Sequence, residues 1–398
     1  MVMSMNQKES RGTPSRRPVS RPPYYLQFDY LLLFITLLIV LFGLLMIYSS
    51  SSYTASVKFH GDAFHFVKRQ FAGVGLGLVC VFFMNMGDYQ ILFRSKKILG
   101  TRLTWTSLIY LMCLVLQTIV LIPGIGVEHN GARRWLAIAG QEFQPAEITK
   151  IAIILFVAQM IYKKPKELNR FMGFVRIMIF VGPLIILIAV ENLSTAITAA
   201  GIAVGMCFVA SRKWNYFLGS IGALGGAGAI YIFAGKGFRA GRISAWKNVE
   251  TDPHGFQTLQ GLYAIASGGL FGCGLGQSMQ KLGYIPEAYN DMIFAIICEE
   301  LGLVGALFVM GMFLFLLWRI MVVACNAPDL HGSLICIGVL IHIGLQVILN
   351  IAVVTNTIPN TGVPLPFISY GGTASAIMMA EMGLVLNVSK QIRIKGRG

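Results

Sequence analysis

Acidic residues interrupt an apolar part of the sequence near its third quarter, and their spacing could support proton transfer. Asn290 and Asp291 precede the apolar run 295–318, and Glu299 and Glu300 lie inside it. Asp291 and Glu299 are eight residues apart, just over two helical turns, which puts them near one helix face. Carboxylates within a membrane span are costly and normally face a bundle interior or a wet cavity. Either Asn290 or Asp291 could cap the following helix, where the helix dipole favours a carboxylate. Asp291 could at the same time act as a general base at a membrane boundary.

A second pair of charged residues occurs where another apolar run begins. Glu147 and Lys150 are three residues apart, shortly after Pro145, so a helix presents both side chains on one face. A structural ion pair and a lysine directed at a phosphate are both compatible with this spacing.

Three polar residues, His342, Gln346 and Asn350, repeat at intervals of four along a further apolar run. On a helix they form one polar stripe. Hydrogen bonds between helices explain such a stripe in a membrane bundle. A polar route for a substrate through the bundle is the alternative interpretation.

Basic and amide side chains cluster in a long polar segment between two apolar runs. They are Arg239, Arg242, Lys247, Gln257 and Gln260, and Trp246 lies among them in the sequence. Arg and Lys beside a membrane interface could bind a phosphate or pyrophosphate through charge-assisted hydrogen bonds. Attraction to lipid headgroups is the alternative. The glycines at 268–276 match neither a Walker loop nor a Rossmann fingerprint, and they indicate a close backbone approach.

A membrane-embedded helical bundle must position all of these groups. The 398 residues are 56% hydrophobic and 12% charged, about half the charged fraction of a soluble domain, and uncharged stretches of about 20 residues match bilayer-length helices. We predict an all-α polytopic membrane protein with about ten transmembrane helices. The predicted spans are 30–50, 70–87, 103–122, 146–162, 172–190, 193–210, 214–234, 295–318, 332–356 and 367–389. In such a protein the net charge of +15 reflects topology and anionic lipid, so we expect no nucleic-acid partner.

The distribution of Lys and Arg orients the predicted bundle. Of the 32 basic residues, 21 fall on the side that carries both chain ends and 11 on the other. By the positive-inside rule both termini are cytoplasmic, and 235–290 is a large extracytoplasmic loop between helices 7 and 8. We divide the chain into a disordered basic cytoplasmic tail (1–27), a transmembrane domain (28–390) and a short basic cytoplasmic tail (391–398).

Five segments, in this order, resemble the SEDS family, whose members act in shape, elongation, division and sporulation. They are NGARRW at 130–135, QPAE at 144–147 with Lys150, 267–291, EELG at 299–302 and NTGVPLPFISYGG at 360–372. The resemblance covers roughly residues 28–390. The segment GLGQSMQK at 274–281, followed by YIPEA, is more similar to the cell-division branch and its sporulation relative than to the elongation branch.

The resemblance implies a peptidoglycan glycosyltransferase that polymerises lipid II, the lipid-linked disaccharide-pentapeptide. The site of action would be the outer face of the bacterial cytoplasmic membrane, at the division septum. Implied partners are lipid II, a class B penicillin-binding protein and other membrane proteins of the divisome. The alternatives are a lipid II flippase, a non-catalytic scaffold, and the elongation or sporulation counterpart of the same polymerase.

The resemblance also implies roles for individual residues. The essential aspartate of the family corresponds to Asp291, the predicted general base. The candidates for binding lipid II and its pyrophosphate are Arg133, Arg134, Glu147, Lys150, Arg242 and Gln260, and the supporting candidates are Glu287, Glu299, Ser369 and Tyr370. We expect no cofactor and no metal site built by the protein, with a divalent cation (Mg²⁺ or Mn²⁺) only as a bridge on the substrate pyrophosphate.

The sequence departs from the family pattern at two places. Tyr289 and Asn290 stand where the family usually has His-Thr, so no role for a histidine carries over. Glu191 and Asn192 stand where many members have Pro-Asp. A carboxylate at position 192 is therefore absent, and Glu191 is a candidate to substitute for it.

Overall fold

The structure is a computed structural model that describes residues 24–26, 28–98, 101–129, 132–138, 141–211, 219, 222 and 238–395. Eleven α-helices lie in this part of the chain. They are α1 (Tyr30–Lys58), α2 (His65–Met86), α3 (Trp105–Val120), α4 (Pro145–Lys163), α5 (Phe171–Glu191), α6 (Leu193–Ala210), α7 (Phe238–Lys247), α8 (Phe256–Gly268), α9 (Ile293–Asn326), α10 (Leu330–Val354) and α11 (Gly372–Lys390). Seven of them, namely α1, α2, α4, α5, α6, α9 and α10, are long and apolar enough to cross a membrane. The chain is therefore a multi-pass membrane protein.

The described helices correspond to nine of the ten predicted spans. The apolar helix α3 has 16 residues and is shorter than the predicted span 103–122. The helix α11 begins at Gly372, later than the start of the predicted span 367–389. It also contains one buried acid, Glu381. The predicted span 214–234 lies almost entirely outside the described residues. The two spans with little charge between them are confirmed as a tight pair, because Asn192 alone separates α5 from α6.

Short strands form three small antiparallel sheets, which the sequence analysis did not predict. Strands β1 (Tyr24–Leu26) and β7 (Arg393–Lys395) pair, β2 (Ser95–Ile98) pairs with β3 (Thr101–Thr104), and β5 (Ala132–Ile138) lies between β4 (Gly126–His129) and β6 (Gln141–Phe143). Strands of three to seven residues are too short for a reliable alternating pattern in the sequence. The pairing of β1 with β7 brings the two ends of the described chain together.

The long helix α9 is broken after its third turn, and a glycine-rich loop fills the break. Gly302 has φ 66° and ψ −164°, so it is not helical. Two N–H groups of the loop 269–274 donate to the carbonyls of Glu299 and Glu300 at 3.0 Å, and the two N–H groups after Gly302 donate back to this loop at 2.9 and 3.1 Å. A Cβ on Gly272 would lie 2.1 Å from the Glu300 carbonyl oxygen. The loop thus pairs backbone groups that the break would leave unpaired in the membrane.

Glycines allow two helix pairs to approach closely. A Cβ on Gly73 of α2 would lie 2.4 Å from the backbone of Gly372 in α11. On α6, Gly201 faces Leu345 and the next glycine of the stripe, at 205, faces Ile341 of α10. Because the residue numbers rise on α6 while they fall on α10, these two helices are antiparallel.

Candidate active site

Asp291 lies two residues before α9, and its side chain contacts α8. The N-cap position is Met292, which makes no capping hydrogen bond through its side chain, so the suggestion that Asn290 or Asp291 caps the helix is wrong. Instead, Oδ1 of Asp291 accepts a hydrogen bond of 3.3 Å from Nε2 of Gln257, in the first turn of α8. The aspartate is only 7% exposed, which makes it a buried carboxylate with a polar neighbour.

The loop between α10 and α11, residues 360–371, binds the backbone just before the aspartate. We call it the signature loop. Its Tyr370 N–H donates to the carbonyl of Tyr289 at 2.9 Å, and its Ser369 hydroxyl donates to the carbonyl of Asn290 at 2.7 Å. Ser369 and Tyr370 therefore support the site through the main chain, which fits their assignment as supporting residues.

A third hydrogen bond of the same kind comes from α10. Nδ2 of Asn350 donates to the carbonyl of Asp291 at 2.8 Å and to the carbonyl of Val363 at 2.9 Å. Next to Val363, Gly362 has φ +65°, and a Cβ there would lie 3.7 Å from Oδ2 of Asp291. The signature loop therefore passes directly beside the carboxylate.

Two other helices fix the signature loop. A Cβ on Gly43 of α1 would lie 2.5 Å from the carbonyl oxygen of Phe367. From α2, Oε1 of Gln70 accepts from the Gly371 N–H at 2.9 Å, and its Nε2 donates to the hydroxyl of Ser375 at 2.8 Å. Because α1 and α2 both contact the signature loop, this loop is a rigid support for the aspartate.

Three aromatic rings pack beside the aspartate. The ring centroid of Phe66 lies 4.4 Å from that of Tyr289 and 5.1 Å from that of Tyr370, and the two tyrosine rings are 5.7 Å apart. Burial raises the pKa of Tyr289 to about 12 and raises the pKa of Tyr370 above its ordinary value. Since Tyr289 replaces the usual histidine of the family, the side chain at this position does not exchange a proton near neutral pH.

The two glutamates assigned as supporting residues contact other parts of the chain. Glu287 is exposed, and its Oε2 accepts from Nδ2 of Asn290 at 3.0 Å. The buried carboxylate of Glu299 accepts from the Ser278 hydroxyl and from the Met279 N–H, the latter at 2.9 Å. The expected shared face with Asp291 is wrong, because the aspartate precedes the helix and helical spacing does not apply to it.

A buried ion pair next to Glu299 was missed by the sequence analysis. Nζ of Lys281 lies 2.7 Å from Oε1 of Glu300, and both side chains are nearly inaccessible. The Ser49 hydroxyl of α1 also donates to this carboxylate. The sequence did contain a signal for this pair. An acid buried in a span needs a basic partner, and Lys281 is the only Lys or Arg between positions 248 and 318.

Glu147 and Lys150 form the ion pair that their spacing predicted. Nζ of Lys150 lies 2.9 Å from Oε2 of Glu147, with side chains that are 1% and 8% exposed. On the antiparallel helix α10, a Cβ on Gly338 would lie 2.5 Å from the Ile154 side chain.

The polar stripe on α10 joins different elements. Nδ1 of His342 lies 2.8 Å from Oε2 of Glu381 on α11, and both side chains are fully buried. Two turns further on, Asn350 contacts the aspartate and the signature loop. Interhelical hydrogen bonding therefore accounts for the first residue of the stripe, whereas the last one belongs to the site.

Arg133 and Arg134 contact the end of α5. The backbone N–H of Arg133 donates to Oε2 of Glu191 at 2.8 Å, and Nε of Arg134 donates to the Glu191 carbonyl at 2.9 Å. Nε of Arg133 also lies 3.1 Å from Oε2 of Glu128. Both arginines line one small cavity with Ala146 at the start of α4.

Two further candidates for substrate binding lie near α7 and α8. Arg242 is part of α7, but its side chain lies outside the part of the chain that the structure describes. Gln260 is half-buried on α8, one turn after Gln257. Of these two glutamines, Gln257 is the one that contacts Asp291, a role that the sequence analysis did not assign.

The match to known sequences decides the family. Residues 29–394 match the family model FTSW_RODA_SPOVE, described as cell cycle protein. The chain belongs to this family. Stage V sporulation protein E of Bacillus subtilis (strain 168) is 40% identical over 92% of the chain and 98% of that relative. A probable peptidoglycan glycosyltransferase FtsW of Geobacter sp. (strain M18) is 37% identical over 92% of the chain and 98% of that relative. The resemblance to the SEDS family, and to its division and sporulation members, is confirmed.

Solved structures share the fold. One, from work on the structural coordination of polymerization and crosslinking by a peptidoglycan synthase complex, has a TM-score of 0.75 at 25% identity, covering 92% of this chain and 98% of that chain. The rod shape determining protein RodA of Thermus thermophilus has a TM-score of 0.65 at 25% identity, with the same coverage. The helical bundle described above is thus the fold of the FtsW, RodA and SpoVE family.

In this family member, the described residues do not resemble a metal centre. Among them, no group of three or more His, Cys, Asp or Glu side chains could hold a metal ion. Asp291 and Gln257 alone supply too few oxygen ligands for a protein-held Mg²⁺. The described residues around Asp291 therefore do not supply the ligand set of a resident divalent cation.

Proposed function

We propose that this chain is a peptidoglycan glycosyltransferase that polymerises lipid II at the outer face of the bacterial cytoplasmic membrane. The observation that carries the proposal is the buried carboxylate of Asp291, whose backbone is tied to α10 and to the signature loop. A relative at 37% identity named as a probable peptidoglycan glycosyltransferase supports the same reaction. Relatives of the division type favour a role at the septum.

Asp291 acts as the general base in this proposal. The 4-hydroxyl oxygen of the acceptor sugar forms a bond to the anomeric carbon of the donor, while the bond from that carbon to the lipid pyrophosphate breaks. The hydroxyl proton passes to the carboxylate, which must lie about 2.6–3.2 Å from the hydroxyl oxygen. The hydrogen bond from Gln257 helps to orient the carboxylate toward the acceptor.

Cationic groups stabilise the departing pyrophosphate. Arg133 and Arg134 line a small cavity with Ala146 at the start of α4, the helix that also carries Lys150. Arg242 and Gln260 belong to the polar segment that contains α7 and α8. Charge-assisted hydrogen bonds from such groups stabilise the negative charge that develops on the leaving oxygen. A Mg²⁺ or Mn²⁺ ion, where one takes part, is held by the pyrophosphate oxygens.

We also propose ten spans with both termini in the cytoplasm and with 235–290 outside. The pairing of β1 with β7 brings the two ends of the described chain together, which supports an even number of crossings. Nε1 of Trp246 donates to the carbonyl of Asn356, just beyond the C-terminal end of α10, whereas the antiparallel α6 ends at the opposite side. A change of side between 211 and 246 supports the span 214–234.

Cysteine labelling tests this topology. In a background without the seven native cysteines, Glu250→Cys and Lys166→Cys place single thiols at exposed positions on opposite sides of the proposed bundle. We expect a membrane-impermeant maleimide to label position 250 in intact cells and position 166 only after permeabilisation. Labelling of position 166 in intact cells would reject the proposed orientation.

A class B penicillin-binding protein is the proposed partner, together with other membrane proteins of the divisome. The similar structure from a complex that coordinates polymerization and crosslinking supports this pairing. The tails 1–27 and 391–398, with their Lys and Arg residues, remain assigned to the cytoplasm, and 28–390 remains the catalytic transmembrane domain of the proposal.

A lipid II flippase is the function that must be excluded, and one experiment separates the two. Proteoliposomes containing the chain and fluorescent lipid II report translocation by loss of the signal to an external quencher, and glycan strands by gel electrophoresis. We expect polymer, with no translocation above that of protein-free vesicles. Translocation without polymer, in the presence and in the absence of the partner, would establish the flippase instead.

A further inference from the structure

Asn350 connects the proposed base to the signature loop. We propose that it is a positioning residue for Asp291, an inference that rests on the proposed polymerase function. Asn350 lies one turn before the end of α10 and is fully buried. Its amide nitrogen spans two segments that are 72 residues apart in the sequence, through the carbonyls of Asp291 and Val363 at 2.8 and 2.9 Å.

The chemistry of the contact explains why an amide is needed at position 350. Backbone carbonyls only accept hydrogen bonds, so the group that faces both must be a double donor. Leu has a similar size but no donor, and Ser has one donor on a shorter side chain. Asn is the smallest neutral side chain that can donate to both carbonyls at once. Two buried carbonyls without a partner would each carry a desolvation penalty.

The Asn350 contact sets the position of the Asp291 carboxylate and of the part of the signature loop beside it. Asn350 fixes the Asp291 peptide, from which the side chain extends, and it also fixes Val363, next to Gly362. A Cβ on Gly362 would lie 3.7 Å from Oδ2 of Asp291, so the signature loop limits the space on that side of the carboxylate. One side chain on a rigid helix therefore controls the direction in which the base can accept a proton.

Positioning has a kinetic signature that a purely structural role lacks. A displacement of about 1 Å in a catalytic group can cost about 100-fold in rate. In the proposed function, lipid II is held mainly through its pyrophosphate and tails, at other residues. Loss of the Asn350 contacts should therefore lower kcat and leave KM for lipid II nearly unchanged.

The test is polymerisation of lipid II by purified Asn350→Leu. Gln346→Leu is the matched control, because it removes a buried amide one turn earlier on the same face of α10. For Asn350→Leu we expect kcat to fall by about 100-fold, with KM within about threefold of the wild-type value and the melting temperature close to that of the control. Asn350→Ser, which keeps one donor, should lose less and serves as the second variant if the leucine variant does not fold.

A double mutant separates positioning from other causes. If Asn350 acts through the carboxylate, Asn350→Leu should cause little further loss in the Asp291→Asn background. Wild-type kcat for folded Asn350→Leu, or full additivity with Asp291→Asn, would overturn the inference. If the wild-type chain makes no glycan with its partner, the proposed polymerase function is wrong. This result differs from a failure of the inference about Asn350, which is measured against an active wild-type chain.

Discussion

Asp291→Asn is expected to abolish nearly all polymerisation while the chain remains folded. Removal of a general base typically costs about 10²- to 10⁴-fold in rate, and this variant should fall in that range. Asparagine is nearly isosteric, and its Oδ1 can still accept from Gln257. The hydrogen bonds that hold this segment to α10 and to the signature loop involve main-chain carbonyls, so the substitution leaves them intact. Initial rates of lipid II consumption by purified protein measure the effect.

Glu299→Gln is the control for this experiment. Glu299 is also a buried acid near the start of α9, but its carboxylate binds the turn at Ser278 and Met279. Its loss should lower the melting temperature, with activity falling only in proportion to the folded fraction. A folded Asp291→Asn protein that polymerises lipid II at nearly the wild-type rate would remove the aspartate as the base.

Lys150→Met is expected to be strongly destabilising, because it leaves the Glu147 carboxylate buried without its partner. Breaking a buried ion pair by removing one member typically costs about 3–5 kcal/mol. The double variant Lys150→Met with Glu147→Gln should therefore lose less than the sum of the two single variants. Thermal unfolding of all four proteins in detergent gives this coupling. Additive effects would reject the pair.

The segment just after α4 provides a matched control for the buried pair. Nζ of Lys164 lies 2.7 Å from Oε1 of Glu167, again three residues apart, but these side chains are 58% and 41% exposed. Solvent screening makes such surface pairs weak. Lys164→Met should therefore change the melting temperature far less than Lys150→Met. A comparable loss at both sites would show that burial is not the cause.

Much of the bundle could be predicted because the bilayer imposes a simple rule on the sequence. A span needs about 20 apolar residues, so composition alone located α1, α2 and the other long helices. The Glu147–Lys150 pair was equally accessible, since it depends only on helical spacing within α4.

The environment of Asp291 could not be predicted in this way. Its contacts come from Gln257 in α8, from Asn350 in α10 and from the signature loop, all distant in sequence. Helical spacing suggested Glu299 as a neighbour, but it gave the wrong answer because the helix begins only after the aspartate. Long-range contacts of this kind depend on packing between helices, which no local pattern encodes.

The broken helix illustrates a second limit. The sequence 268–276 indicated a close backbone approach, but nothing in it identified α9 as the element approached. The partner became clear only where Gly302 interrupts that helix and the loop supplies the missing hydrogen bonds. Lys281 and Glu300, buried together beside the break, stabilise the same junction.

The most direct test of the central claim is product analysis with purified components. The wild-type chain and the Asp291→Asn variant are each incubated with lipid II and a class B penicillin-binding protein whose transpeptidase is inactive, and the products are separated by gel electrophoresis. The proposal predicts long, uncrosslinked glycan strands from the wild-type chain and almost none from the variant. Equal amounts of glycan from both proteins, or none from the wild-type chain, would contradict it.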